Sequence, residues 1–278
     1  MKALYDHVSI RCSRLTTQAY STSFSLGIRC LEKELRDPIY AIYGFVRFAD
    51  EIVDTFHDFD KETLLKRFKA DTYNAIREKI SLNPILNSFQ ATVNYYHIED
   101  VLIEQFLKSM EMDLTQKDYD PKRFQEYILG SAEVVGLMCL RVFCKGNHDQ
   151  YNQLKPHAMS LGAAFQKINF LRDLNADYMG MGRMYFPGID FNSFDEAAKK
   201  EIEGNIKKDF DHGYEGIKKL PRSARFGVYV AYVYYLALFR KIRNTPSHRV
   251  LHSRIRIKNR YKATLLAYSY VKHQLNII

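Results

Sequence analysis

Phe45-Val-Arg-Phe-Ala-Asp-Glu-Ile-Val-Asp-Thr55 decides the fold. Ile42, Phe45, Val46, Ala49 and Val53 recur at helical spacing, and Asp50 and Asp54 lie four residues apart on the same helix. At roughly 100° per residue the two carboxylates stand within about 40° of each other, with Arg47 on their flank. A second stretch, Gln166-Lys-Ile-Asn-Phe-Leu-Arg-Asp-Leu-Asn-Ala-Asp177, repeats the plan. Gln166, Asn169, Asp173 and Asp177 form one polar stripe, and Ile168, Phe170, Leu171 and Leu174 take the other sides. Four carboxylates on apolar helices are costly unless cations offset them. Hard divalent ions bridging to a substrate phosphate would do so through oxygen ligands.

Outside these stretches the chain reads as an ordinary globular protein. Its 278 residues are 46% hydrophobic and 26% charged, with 13 Gly, 7 Pro and no linker-like or repeated segment. One domain over residues 1–278 is the expectation. The N-terminus lacks a signal core, and no uninterrupted apolar run is long enough to span a bilayer. The greasiest run, Phe226 to Phe239, reads as a buried helix. Cys12, Cys30, Cys139 and Cys144 show no metal or disulfide spacing and suit a reducing cytoplasm. The excess of 41 Lys and Arg over 32 Asp and Glu favours anionic partners: a phosphate-bearing substrate, an acidic membrane surface or nucleic acid.

Helix signals run along the whole sequence. Asp37-Pro38, Asn83-Pro84 and Asp120-Pro121 each set a capping side chain before a proline, predicting helices over 38–57, 84–97 and 121–144. Others are predicted over 62–80, opened by Asp60, and over 99–113. Pro156 is read as opening the helix of the second acidic stretch, Pro221 a helix to Arg243, and Pro246 as preceding a basic helix over 249–275. No set of alternating strands emerges. The expectation is an all-α bundle around a central cavity. Gly130-Ser-Ala-Glu-Val-Val-Gly136 interrupts one helix, either for close packing or to leave room for a long apolar ligand. Gly180-Met-Gly-Arg-Met-Tyr-Phe-Pro187 ends the second acidic helix; no strand precedes it and Tyr185 stands where a third glycine would be needed, so a dinucleotide fingerprint is rejected.

Opposed carboxylate pairs could hold ions that turn a diphosphate into a leaving group. An allylic cation left behind would need a dry, apolar or aromatic lining, which 20 Tyr and 18 Phe can supply. A lone pair of aspartates at this spacing is usually a solvated face, so the weight rests on having two pairs. Asp58 is discounted as a helix-end acid and His57 as a surface histidine. The basic run from His248 to Lys262 is usually solvated too, though one or two arginines could reach phosphate.

With these stretches together, the chain resembles the squalene/phytoene synthases, the head-to-head prenyltransferases, over nearly its whole length. The motifs are Tyr20-Ser-Thr-Ser-Phe-Ser25, Tyr40 to Asp54, Gln166 to Asp177 and Gly182-Arg-Met-Tyr-Phe-Pro187. The resemblance implies an isoprenoid synthase helical bundle with both acidic motifs facing one cavity. It implies Asp50 and Asp54 as Mg²⁺ ligands and catalytic residues on one wall, with Asn169, Asp173 and Asp177 on the other. Ser21, Ser23, Tyr43, Arg47, Gln166 and Arg172 would hold diphosphate or order its surroundings. Tyr235 and Arg254 match a cavity tyrosine and a diphosphate-binding arginine, Arg254 across a short insertion near Pro246. Two departures stand out: Asp50-Glu51 replaces the common Asp-Asp, and Leu129 stands where a cavity tyrosine is typical, with Tyr127 two residues earlier.

The implied activity is Mg²⁺-dependent phytoene synthesis from two geranylgeranyl diphosphates through prephytoene diphosphate, in carotenoid biosynthesis, with Mn²⁺ a possible substitute. The short chain and the lack of a nicotinamide fingerprint favour the branch that does not use NADPH. The rival within the family joins two farnesyl diphosphates to dehydrosqualene or squalene, and Ile28 and Tyr40 are read as bearing on cavity depth. A non-catalytic assembly factor would be expected to lose the acidic motifs, and a nucleic-acid binder would leave four aspartates without a task. So greasy a product implies a cytoplasmic protein in peripheral contact with the inner membrane surface.

Overall fold

The computed structural model describes residues 1–115, 119–189 and 194–275, and every regular element among them is helical. The first half holds α1 (Lys2–Tyr20), α2 (Thr22–Arg29), α3 (Lys33–Asp54), α4 (Lys61–Glu78), α5 (Pro84–Tyr96), α6 (Asp100–Thr115) and α7 (Pro121–Ile128). The second holds α8 (Val134–Cys144), α9 (His148–Met181), α10 (Glu196–Lys219), α11 (Arg222–Arg243), α12 (Ser247–His252) and α13 (Asn259–Gln274). A π-helical turn over Leu129–Glu133 joins α7 to α8.

The predicted caps at Asp60, Asn83 and Asp120 are present, each side chain accepting from backbone N–H groups of the first turn. Two proline starts are corrected. Pro38 lies inside α3, which begins at Lys33, and Asp37 pairs with Arg14 at 2.7 Å instead of capping. Pro156 lies inside α9, whose cap is Asn147. The basic C-terminal segment is also not one helix: it breaks after His252 and resumes at Asn259.

Apolar faces set the packing. Phe45 of α3 stacks on Phe89 of α5 at 3.9 Å between ring centroids and meets Phe106 of α6 at 5.3 Å. Phe45 is fully buried, so truncation to alanine should cost about 3–5 kcal/mol. Helix α1 instead buries Ser9, Ser13 and Thr17. Ser13 pairs with Ser88 at 2.7 Å, and a side chain at Gly44 would meet Ser13 Oγ at 2.9 Å, so small polar residues let α1 lie close on α3 and α5. The Gly130–Gly136 interruption packs closely at one end and borders a cavity along the rest. A Cβ at Gly130 would meet the Gln105 carbonyl oxygen at 2.5 Å, whereas Ser131, Ala132, Val135 and Gly136 line a cavity. Pro121–Cys144 is the one stretch among the described residues long and apolar enough to cross a membrane, and 67% of its apolar window is buried inside the protein.

Helices α3 and α9 place the site. Along α3, Ile39, Ile42, Tyr43 and Val46 face the cavity before Arg47, Asp50 and Asp54 do. Along α9, Leu154, Ala158, Leu161 and Phe165 precede Gln166, Asn169, Asp173 and Asp177. Both helices thus turn from apolar to acidic in the chain direction. Their C-terminal halves line the same end of the cavity, giving it a greasy floor and an acidic mouth.

Candidate active site

The cavity measures about 560 Å³, a usual size for a ligand site. Ser21, Tyr43, Arg47, Asp50, Asp54, Gln166, Asn169, Arg172, Asp173, Asp177, Tyr235 and Arg254 all line it. Ser23 does not: it is half-buried on α2 outside the lining. Ser21 caps α2, accepting from the Phe24 N–H at 3.2 Å. Ile28 lines the cavity, but Tyr40 is buried beneath Arg14 and corrects its reading as a depth determinant. Of the Leu129 and Tyr127 pair, Tyr127 is the one that reaches the lining.

Acids at the last turns of α3 and α9 meet the negative ends of the helix dipoles. Burial, then the neighbouring Asp54, push the Asp50 carboxyl up to about 8, against the pull of Arg47. Burial, then Asp173, push Asp177 up to about 7, and Asp54 adds to that from the facing wall. Asp54 from α3 and Asp177 from α9 line the same cavity.

Arginines answer this charge from several parts of the chain. Arg47 pairs with Glu51 and lies over the Tyr20 ring, while its Nε is buried without a protein partner. Arg172 donates to Asp173 at 2.5 Å, and Arg254 reaches the same carboxylate at 2.7 Å. Arg254, matched across a short insertion, is therefore at the mouth. Arg172, off the acidic stripe by helical geometry, reaches around to it. His57 is exposed beside Lys61, and Asp58 is exposed, as expected of both.

Sequence reasoning missed a second layer. Arg183, 6% exposed, donates to Asp54 at 2.9 Å and to the Asp113 main-chain oxygen at 2.6 Å. The Asp113 carboxylate accepts from Tyr127 at 2.7 Å and Tyr185 at 3.3 Å. Burial pushes Asp113 up to about 7 even with Arg183 beside it. The Tyr185 ring stacks on Phe170 of α9 at 4.0 Å. Asp113 carried no signal beyond one acid on an apolar helix, whereas Arg183 and Tyr185 fell in a quoted motif without a role.

Below the mouth the lining is aromatic. Tyr235 stacks on Phe165 at 4.0 Å, Phe24 lies 5.7 Å from Tyr235 and 5.9 Å from Tyr43, and the Tyr235 hydroxyl donates to Asn169 at 3.2 Å. Among the described residues no group of three or more Asp, Glu, His or Cys side chains is placed to hold a metal ion on its own. The donors that the two acidic stretches bring to the cavity are all oxygens, the type that hard divalent ions take in ones and twos alongside water and phosphate. An anionic headgroup at the mouth and an apolar tail beneath are what this polarity can accommodate.

A family model described as squalene/phytoene synthase matches residues 17–261. The 4,4'-diapophytoene synthase of Staphylococcus haemolyticus is 26% identical over 66% of this chain and 64% of its own length. Phytoene synthase 1, chloroplastic, of Solanum lycopersicum is 28% identical over 84% of this chain and 59% of its own. The match thus spans roughly three-fifths of the length of these relatives. A crystal structure of a dehydrosqualene synthase in complex with ligand superposes with a TM-score of 0.83, covering 97% of this chain and 98% of that one at 20% identity. At that identity the likeness shows the shared helical fold.

Proposed function

The chain belongs to the squalene/phytoene synthase family, and from that premise we propose that it condenses two prenyl diphosphates head to head. The observation that carries this reading is the cavity itself, with two acid-ended helices facing each other over an aromatic, apolar floor. Asp50 and Asp54 would hold divalent ions from α3, and Asn169, Asp173 and Asp177 from α9. Bound Mg²⁺, or Mn²⁺ in its place, supplies Lewis-acid neutralisation of the departing diphosphate. Arg47, with its unpartnered Nε, and Arg172 and Arg254 would bind the diphosphate oxygens. Ser21, Tyr43 and Gln166 order that mouth; Ser23, outside the lining, would act only through α2.

The tail would lie below, where the floor excludes water and positive charge developing on an allylic carbon meets the faces of Phe165 and Tyr235. Geranylgeranyl diphosphate is the proposed substrate, giving phytoene for carotenoid synthesis without NADPH. Room at the far end supports the longer tail. His157 lines it about 24 Å along α9 from Asp173, a depth that suits a long extended tail. The names of the Staphylococcus relative and of the superposed structure favour the rival, two farnesyl diphosphates joined to dehydrosqualene.

Incubating the purified chain with each diphosphate and Mg²⁺, with and without NADPH, and identifying the hydrocarbon tests both. A forty-carbon polyene formed without NADPH is expected. A thirty-carbon product alone would replace the substrate assignment, and no product from either diphosphate would end the catalytic reading. We further propose that the protein works in the cytoplasm at a membrane surface, where such a product partitions.

A further inference from the structure

All 32 Asp and Glu of the sequence lie before Gly216. Residues 216–278 hold fourteen Lys and Arg and no acid, while residues 1–215 carry more acid than base. So one-sided a distribution is a directed field, which a net charge of +9 conceals.

The structure gathers much of that field on one face. Arg249, Arg254, Arg256, Lys258 and Arg260 are exposed along α12, the connecting segment and the start of α13. Helix α13 packs against α11 and turns Leu265, Leu266 and Ser269 inward. An adjoining, exposed flank presents Tyr261, Tyr268, Val271 and Leu275, which are 50%, 54%, 54% and 64% exposed. These four recur at steps of seven, three and four, so they form one stripe along the helix. Tyrosines with an aliphatic stripe and flanking cations are the composition that settles at a lipid headgroup boundary.

The same segment borders the cavity mouth. Arg254 reaches Asp173 at 2.7 Å, and Lys262 donates to Thr22 Oγ1 at 3.0 Å, across the start of α2. The basic face is therefore continuous with the rim of the site.

We infer that the face formed by residues 249–260 and the exposed tyrosine-bearing flank of α13 docks on an anionic bilayer, bringing the cavity mouth to the lipid surface. Its charge excludes a second copy of the same face, because two acid-free surfaces repel. Its exposed apolar stripe has no use on a phosphate backbone alone, which sets a bilayer ahead of nucleic acid. The inference gives a surface to the membrane contact proposed above. It rests on that reading only for its purpose, since docking needs no substrate.

The test uses the full chain and sedimentation with large unilamellar vesicles, with no prenyl diphosphate present. Vesicles of phosphatidylcholine mixed with phosphatidylglycerol should capture the protein, and vesicles of phosphatidylcholine alone should leave it in solution. Arg256→Glu with Lys258→Glu should lower capture by about tenfold or more, since each basic residue at such a surface is worth roughly 1 kcal/mol. Tyr268→Ser with Val271→Ser should lower it by about threefold or more through lost interfacial burial. Both pairs are exposed, and unchanged thermal unfolding identifies a surface effect. Equal capture by the two vesicle types, or capture unmoved by both pairs, would overturn the inference. So would preference for duplex DNA over anionic vesicles, or a dimer dissolved by the same substitutions. Product formation from detergent-dispersed substrate should survive in both pairs, so a failure of docking and a failure of catalysis give separate results.

Discussion

Arg183 donates to the Oδ1 of Asp54 at 2.9 Å, tying the last residue of α3 to the loop that follows α9. The same guanidinium faces Asp113, which is buried on α6 and holds two tyrosine hydroxyls. One cation thus fixes where an acid of the mouth points, from outside the cavity lining.

Arg183→Ala should therefore destabilise the protein by about 3–5 kcal/mol, because it leaves a buried carboxylate without its counter-ion. Urea unfolding at neutral pH reads this directly. Adding Asp113→Asn should recover part of the loss. An additive double variant would mean that the pair is not coupled.

Asp50→Asn and Asp173→Asn should each lower turnover on the order of a thousandfold or more, the several kcal/mol that a well-held divalent ion contributes to a leaving group. Circular dichroism should stay unchanged, since neither side chain is part of the core. Near-normal product formation in either variant would count heavily against the proposed chemistry.

Asp50 and Asp177, pushed up to about 8 and about 7, hold protons in the metal-free folded state that the unfolded chain has already released above its ordinary carboxylate range near 3.8. The folded state then binds more protons, so the contribution of these groups to stability falls as pH rises from about 4 to about 8. Melting temperatures in EDTA should show this fall, and it should be smaller in Asp177→Asn. Mg²⁺ should raise the melting temperature most at the alkaline end, where the carboxylates are ionised.

Ala158→Phe fills the far end of the cavity from α9. Turnover of geranylgeranyl diphosphate should drop by tenfold or more relative to farnesyl diphosphate, roughly the discrimination that a few buried methylenes provide. Competition assays with the two diphosphates give the ratio. An unchanged ratio would place the tail elsewhere.

The acidic walls were legible because carboxylate spacing and helical apolar spacing coincide on α3 and α9, and periodicity records both. Prolines were read less well. Pro38 and Pro156 look like helix starts by local preference, yet each is absorbed within a helix that starts further upstream. Helix α1 left no apolar period because its buried face is Ser9, Ser13 and Thr17, chosen for close approach. Helix α10 was not predicted although Ile202, Ile206, Phe210 and Ile217 keep helical spacing. Asp113 was invisible for a different reason: its partner Arg183 is 70 residues away, and only the folded chain brings a buried acid and a buried base together.

Every acid named at the mouth with a short ion pair is already engaged: Asp54 by Arg183, and Asp173 by Arg172 and Arg254. A divalent ion offered alone must compete with guanidinium for these oxygens. An ion that arrived with a pyrophosphate would offer Arg172 and Arg254 a new anion in place of Asp173. On the proposed chemistry, loading would be an exchange of companions in which metal and anion each ease the other's entry, and titrating either one alone should understate the affinity of both.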